Sequence, residues 1–268
     1  MSLLAEGHAM VRTYSTTWYE PITSMPPGLD EATTCAYLCM RAIDEIEDHP
    51  DLNGEAKASL LEVASRLLQT RFTQADFVAA YRDHTAVLPE VSLRIAEWTT
   101  LAPPEIAPRV LETFAAMAER MADWARDGFT IATERDLDRY TYAVSGTLVL
   151  MLSDLWAWHD GTRTHRAHGI GYGRALQSAN ILIDRTTDTT RGVDFWPNGW
   201  HTDDMLRYVH TELALAERYV LALPDGPARR FCEPALRRYQ RRLSGDIGDF
   251  AVIDQDASGR SCHDTDDR

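Results

Sequence analysis

The sequence predicts an all-α protein, a single-domain helical bundle. Three observations carry that expectation. Apolar residues recur with the helical period along nearly the whole chain, no convincing run alternates like a strand, and no glycine loop of the dinucleotide or phosphate type is present. Asp30 is a candidate N-cap for a helix from about Glu31 to Asp48, which His49-Pro50 stops. Residues 55–70 then place Leu60, Leu61, Val63, Leu67 and Leu68 on one stripe. After Pro103-Pro104, apolar residues return at Val110, Leu111, Phe114, Met117, Met121 and Trp124, ending at Gly128. A helix from Glu134 to about Trp158 follows, with Gly161 beyond it. Gly169 to Asp188 reads as helix despite its glycines, until Arg191-Gly192 breaks it. Residues 203–223 and 228–243 complete the set. Nothing reads as a linker, so residues 1–253 are taken as one domain and the polar residues 254–268 as a disordered tail.

The chain has 268 residues, with 27 Lys and Arg against 41 Asp and Glu, a formal charge of −14. That balance argues against nucleic acid or an anionic membrane as the main partner, because both recruit dense Lys and Arg. If the substrate is itself anionic, something cationic must mediate. A hydrophobic fraction of 44% is ample for a sizeable core. The four cysteines, Cys35, Cys39, Cys232 and Cys262, lack metal-ribbon spacing, and Cys35 and Cys39 read as buried apolar groups on one helix. No signal peptide is visible, and the longest apolar stretch, Thr147–Leu152, is far short of a membrane span. The expectation is a reduced, cytoplasmic protein without a transmembrane anchor.

Two acidic rows carry the chemistry. In Asp44-Glu45-Ile46-Glu47-Asp48, Asp44 and Asp48 leave the same helix face one turn apart, with Glu47 beside them. Like charges at that spacing destabilise a helix unless a cation sits between them. A solvated helix end is the bland reading, but Tyr37, Leu38, Met40 and Ile43 make the rest of this helix apolar, and Arg41 puts a cation beside the patch. The second row is Asn180, Asp184 and Asp188, at i, i+4 and i+8, among Leu176, Ile181 and Ile183. Oxygen-only donors on stiff helices suit a hard cation such as Mg²⁺, held by a few carboxylates together with waters and substrate phosphates. Two such helices facing one another across a central pocket would bind a diphosphate through bridging metal ions. The metals, rather than Lys or Arg, would then supply the positive charge.

These motifs resemble the squalene/phytoene synthase family of all-α isoprenoid enzymes. The run from Tyr37 through Arg41 and Asp44 to Asp48 is similar to that family's first aspartate-rich motif. The run Gly173-Arg-Ala-Leu-Gln177-Ser-Ala-Asn180-Ile-Leu-Ile-Asp184 is similar to the helix bearing the second. Tyr140-Thr-Tyr142-Ala-Val-Ser-Gly146 resembles the family's Y-x-x-x-V-A-G segment, and Pro26-Pro27 and Phe195-Trp196-Pro197 match further pieces. The likeness runs from about Trp18 to Arg242. It implies an isoprenoid synthase fold, an alkyl-transferring enzyme whose catalytic domain spans 1–253, Mg²⁺, and an allylic prenyl diphosphate. Asp44, Asp48, Asn180, Asp184, Asp188 and Glu47 would hold the metal. Arg41, Arg185 and Arg191 would supplement it on the diphosphate beside Gln177. Tyr37, Tyr140 and Tyr142 would wall the allylic cation, with Tyr140 counted among the catalytic residues.

The departures from the family pattern matter as much. The N-terminal S-R-S-F segment is here about Ser15-Thr16-Thr17-Trp18, without the arginine. The arginine before the first aspartate of the second motif is Ile183, the acid before the last is Thr187, and the basic residue two before Phe195 is Val193. Charge-assisted contacts to phosphate are among the strong ones, so losing them weakens a second anion site. The second substrate is therefore expected to be neutral and aromatic, as for the phytoene-synthase-like branch that prenylates carbazoles in neocarazostatin and carquinostatin biosynthesis, a secondary metabolism. A five-carbon donor, dimethylallyl diphosphate, follows from that likeness alone. Trp156, with Trp158, Trp196 and Trp200, would offer a flat aromatic pocket, plain core packing being the other reading of each. The alternative is a head-to-head synthase that condenses two prenyl diphosphates.

Overall fold

A computed structural model describes residues 2–190 and 192–244; the tail expected at 254–268 lies outside the described residues. Among the described residues every regular element is helical. The chain divides into two compact units, Met1–Phe129 and Thr130–Arg268.

In the first unit, α1 (Leu3–Tyr14) and α2 (Thr16–Thr23) precede the long α3 (Leu29–Glu47). After α3 come α4 (Gly54–Leu68), α5 (Gln74–Ala80), a 3₁₀ turn at Arg82–His84, α6 (Glu90–Leu93), α7 (Ile95–Thr99) and α8 (Ala107–Arg126). Helix α3 packs against α1, α2, α4, α6, α7 and α8, which is why its residues are buried nearly all round. It begins two residues before the position expected from the sequence. Gly28, at φ 84°, precedes it and donates its N–H to the Glu31 carboxylate at 2.5 Å. Asp30 sits inside the first turn, where the helix dipole favours an anion, and accepts from Thr34 Oγ1 at 3.2 Å while pairing with His8 at 2.8 Å. The far end stops where Pro50 requires. Asp48 caps it, and the buried His49 ring bridges Val87 O at 3.0 Å and the Asp51 N–H at 3.2 Å. Arg94 ties this unit together, pairing with Glu6, Glu90 and Glu97 over the face of Trp98.

The second unit holds α9 (Glu134–Thr141), a π-helical turn at Tyr142–Gly146, α10 (Thr147–Asp160), α11 (Arg166–Ile183), α12 (Arg185–Thr190), α13 (Thr202–Ala222) and α14 (Pro227–Ser244). The single helix expected from Glu134 to Trp158 is thus interrupted by a π turn, a device frequent at functional sites. The glycines of α11 explain how it tolerates them. A Cβ on Gly171 would meet Leu215 Cβ at 2.4 Å, and one on Gly173 would meet the Ser145 carbonyl oxygen at 2.7 Å. Gly173 is the point where α11 touches the π turn.

Arg174 is the centre of a polar knot on the same helix. It pairs with Asp138 of α9, with Glu212 of α13 at 3.1 Å, and donates to Tyr208 Oη at 2.8 Å; Tyr208 donates in turn to Asp138 at 2.8 Å. Burial pushes the Glu212 carboxyl above its ordinary range against the pull of Arg174, and Glu134 of α9 adds to the rise. A carboxyl with a raised folded pKa stabilises the fold below its unfolded value and loses that contribution as pH rises through the folded one. Arg174→Met removes the counter-charge from Glu212 and Asp138. Its melting-temperature deficit should be widest at neutral and alkaline pH and should narrow on acidification. Thermal melts across a pH series check this; a deficit independent of pH would contradict it.

Candidate active site

The first acidic row closes α3. Asp44 and Glu47 are buried, at 2% and 4% exposure, whereas Asp48 is half-buried, and the Asp48 N–H donates to Asp44 O at 2.9 Å. The two aspartates therefore lie one helical turn apart, as their spacing predicts. Arg41 is the cation beside them. Its Nη1 donates to Asp44 Oδ2 at 2.9 Å and its Nη2 pairs with Glu45. Burial opposes the Arg41 charge, but Asp44 and Glu45 outweigh it and hold the guanidinium above its ordinary pKa. Tyr14, from the end of α1, covers the guanidinium with its ring at 5.0 Å. Its hydroxyl pKa is pushed up to about 12 by burial and by Glu45, against the opposing Arg41. Tyr37 is buried one turn before Arg41.

The second row is less regular than its i, i+4, i+8 spacing implies. Helix α11 ends at Ile183, Asp184 caps it, and α12 starts afresh at Arg185. Threonine dominates the next turn, and Thr189 and Thr190 donate their hydroxyls to the carbonyls of Thr186 and Thr187. Such back-bonding and β-branching disfavour a continuous helix. The spacing survives the break because Asp184 N–H still donates to Asn180 O at 2.8 Å and Asp188 N–H to Asp184 O at 2.9 Å. Asp188 is 3% exposed; Asn180 and Asp184 are half-buried. Gln177 is buried one turn before Asn180.

Around this row, Tyr140 stacks on Phe195 with ring centroids 4.8 Å apart, and Tyr142 lies half-buried in the π turn. Arg185 donates to Asp194 at 3.0 Å and lies 3.8 Å over the Trp196 ring, so its guanidinium is engaged within its own unit. Trp156 is 1% exposed and packs on Phe231 at 5.6 Å, the arrangement of a core residue. Ser15, in the segment matched to the arginine-bearing motif, caps α2 by accepting from Trp18 N–H at 3.0 Å. Arg191 lies outside the described residues.

Three partners of the site were not singled out from the sequence. Glu45 was legible, since it stands four residues after Arg41 on one helix face. Tyr14 and Tyr239 were not. Tyr239 donates its hydroxyl to Asn180 Oδ1 at 2.7 Å from 59 residues away, and no local pattern announces such a contact.

The donor chemistry fits a hard divalent cation. Each row offers carboxylate or amide oxygens one turn apart, with neither thiolate nor imidazole among them. Among the described residues, no three His, Cys, Asp or Glu side chains gather closely enough to hold a metal by themselves. No helix among them is long and apolar enough to cross a membrane.

The family model described as squalene/phytoene synthase matches residues 11–207. A squalene synthase of Eremothecium gossypii is 27% identical over 234 residues, covering 81% of this chain and 52% of that protein. A bifunctional lycopene cyclase/phytoene synthase of Arthroderma gypseum is 30% identical over 182 residues, covering 63% of this chain and 30% of that protein. The chain thus spans about half or less of the length of these curated relatives. Among solved structures, a complex of TcSQS with the ligand E5700 superposes with a TM-score of 0.68 at 17% identity, covering 91% of this chain and 78% of that one. At that identity the likeness establishes the fold, and it is the one the motifs imply.

Proposed function

This chain belongs to the squalene/phytoene synthase family, a family of prenyltransferases, and from that premise we propose that it ionises an allylic prenyl diphosphate and joins the prenyl carbon to a second substrate. The observation that carries the proposal is the pair of acidic rows, the first ending at the cap of α3 and the second running from inside α11 through its cap Asp184 to the buried Asp188 of α12. In the first unit Asp44, Asp48 and Glu47 would be the Mg²⁺ ligands; in the second, Asn180, Asp184 and Asp188 would be. When bound, Mg²⁺ stabilises the negative charge that develops on a departing diphosphate. Arg41, held by Asp44 and Glu45 under the Tyr14 ring, keeps a fixed cation at the first row. Tyr37 and Tyr140 would exclude water and offer ring faces to a carbocation; both are buried, and Tyr140 stacks on Phe195.

Two acceptors are open. The named relatives favour a second prenyl diphosphate condensed head-to-head, and this reading has the wider support. The residues of the second row favour a neutral aromatic acceptor such as a carbazole, because Ile183, Thr187 and Val193 stand where the family carries charge. A single assay tests both. Diphosphate release is followed with Mg²⁺ and donors of five, ten, fifteen and twenty carbons, with and without hydroxylated carbazoles or indoles, and products are weighed. Two joined prenyl chains would establish head-to-head condensation. An acceptor heavier by one prenyl unit would establish aromatic prenylation with its donor length. Release under no condition would overturn the proposal.

A further inference from the structure

Consecutive residues of α11, Gly173 and Arg174, hold the two flanks of the π turn. On the far flank the bare Cα of Gly173 lets α11 approach the Ser145 carbonyl oxygen and Gly146 Cα, which a Cβ would meet at 2.7 and 2.8 Å. On the near flank Arg174 grips the last turn of α9. Its Nη2 pairs with Asp138 and donates to Tyr208 Oη at 2.8 Å, and Tyr208 donates in turn to Asp138 Oδ1 at 2.8 Å. Thr141 Oγ1 lies 3.5 Å from the same Tyr208 hydroxyl. Asp138 and Thr141 share one face of α9 and straddle Tyr140 in the sequence.

In a π turn each N–H reaches back five residues instead of four, so the ladder of an unbroken helix is interrupted there. The rotation of α9 is then not dictated by α10, and its last turn must be fixed from outside. Arg174 is suited to that task because its guanidinium is a rigid fork. The buried Glu212 of α13, at 3.1 Å, supplies a second carboxylate that keeps the fork in place. Tyr140 is buried on the neighbouring face of α9, with its ring 4.8 Å from that of Phe195 and the planes 22° apart, a contact that a small rotation of α9 would open. We propose that Arg174 is a positioning residue for Tyr140: by tying Asp138 of α9 to Tyr208 and Glu212 of α13 beside the π turn, it sets the rotation of the last turn of α9 and so the ring face offered to the allylic cation. The proposal rests on the reading of Tyr140 as a wall of the cation site.

The test has two readouts on the full chain. Fluorine NMR of protein labelled with fluorotyrosine reports the ring itself, the Tyr140 resonance being the one missing from Tyr140→Phe. The second readout is the share of prenyl alcohol among the products of the donor that turns over in the assay above. A displaced wall admits water, which adds to the allylic cation and loses a proton to give that alcohol. Wild type, Arg174→Met, Asp138→Asn and Ser153→Ala are compared below the lowest melting temperature of the set. Arg174→Met should shift the Tyr140 resonance, raise the alcohol share several-fold and lower kcat for coupling by up to about 10²-fold, the cost of a misplacement of about 1 Å. Asp138→Asn, which leaves the Arg174–Glu212 pair intact, should act in the same direction with a smaller effect. Ser153→Ala, which removes a hydroxyl 3.0 Å from Tyr219 Oη in the same unit, should melt earlier yet match wild type in both readouts. An unmoved Tyr140 resonance in Arg174→Met overturns the proposal, as does an unchanged alcohol share or an equal shift in Ser153→Ala. Diphosphate release by wild type under no condition would instead overturn the reading of the site, while the resonance would still decide whether Arg174 holds the ring.

Discussion

Asp184→Ala is expected to reduce turnover by about 10²–10³-fold while leaving the helical content unchanged. Groups that stabilise developing charge in a water-poor site contribute about 10²–10³-fold each, and Asp184 is proposed as one of them. The position is favourable for the experiment. Asp184 is half-buried and caps α11, and the backbone bonds to Asn180 O and from Asp188 N–H do not need its side chain. Circular dichroism and product release on the same sample check both halves of the expectation. Near wild-type turnover would remove Asp184 from the machinery. Asp44→Ala should be as damaging to turnover, but it is a less clean experiment. Asp44 neutralises the buried Arg41, and breaking a buried pair costs about 3–5 kcal/mol when the remaining charge has no partner. Glu45 still pairs with Arg41, so the loss should fall below that figure. Asp44→Asn keeps the oxygen and the volume and separates the two effects.

Gly173→Ala should be strongly destabilising. Its Cβ would stand 2.7 Å from the Ser145 carbonyl oxygen and 2.8 Å from Gly146 Cα. Both are backbone, so no side-chain rotation relieves the clash. Alanine gains about 1 kcal/mol of helix propensity over glycine, whereas overpacking against fixed atoms costs about 1–3 kcal/mol and here requires the π turn to move as well. A net loss of about 2 kcal/mol corresponds to a fall of about 4–8 °C in melting temperature. Gly169→Ala supplies the comparison, because its Cβ would meet the Tyr219 ring at 3.1 Å, a neighbour able to yield by tenths of an ångström. Differential scanning calorimetry should rank Gly173→Ala well below Gly169→Ala; equal values would mean the crossing is looser than the distances imply. Because the π turn begins two residues after Tyr140, Gly173→Ala should also disturb the Tyr140–Phe195 stack and lower turnover in the folded fraction.

What the sequence determined by itself was local or periodic. Helical period gave the all-α class, Pro50 the end of α3, Gly161 the end of α10, and i, i+3 and i, i+4 spacing the one-turn separation of Asp44 and Asp48 and the pairing of Arg41 with Asp44 and Glu45. These follow from backbone geometry, which brings residues three and four apart together wherever a helix forms. The tertiary structure alone decided the rest. Asp30 lies inside the first turn of α3, where it pairs with His8 of α1, rather than at the N-cap. The helix through Tyr140 takes a π turn where α11 crosses it at Gly173. Tyr14 over Arg41 and Tyr239 on Asn180 join residues many turns apart in the chain. Their contacts depend on how whole helices pack, and side-chain periodicity carries no record of which distant residue will fill the gap beside a buried charge or amide.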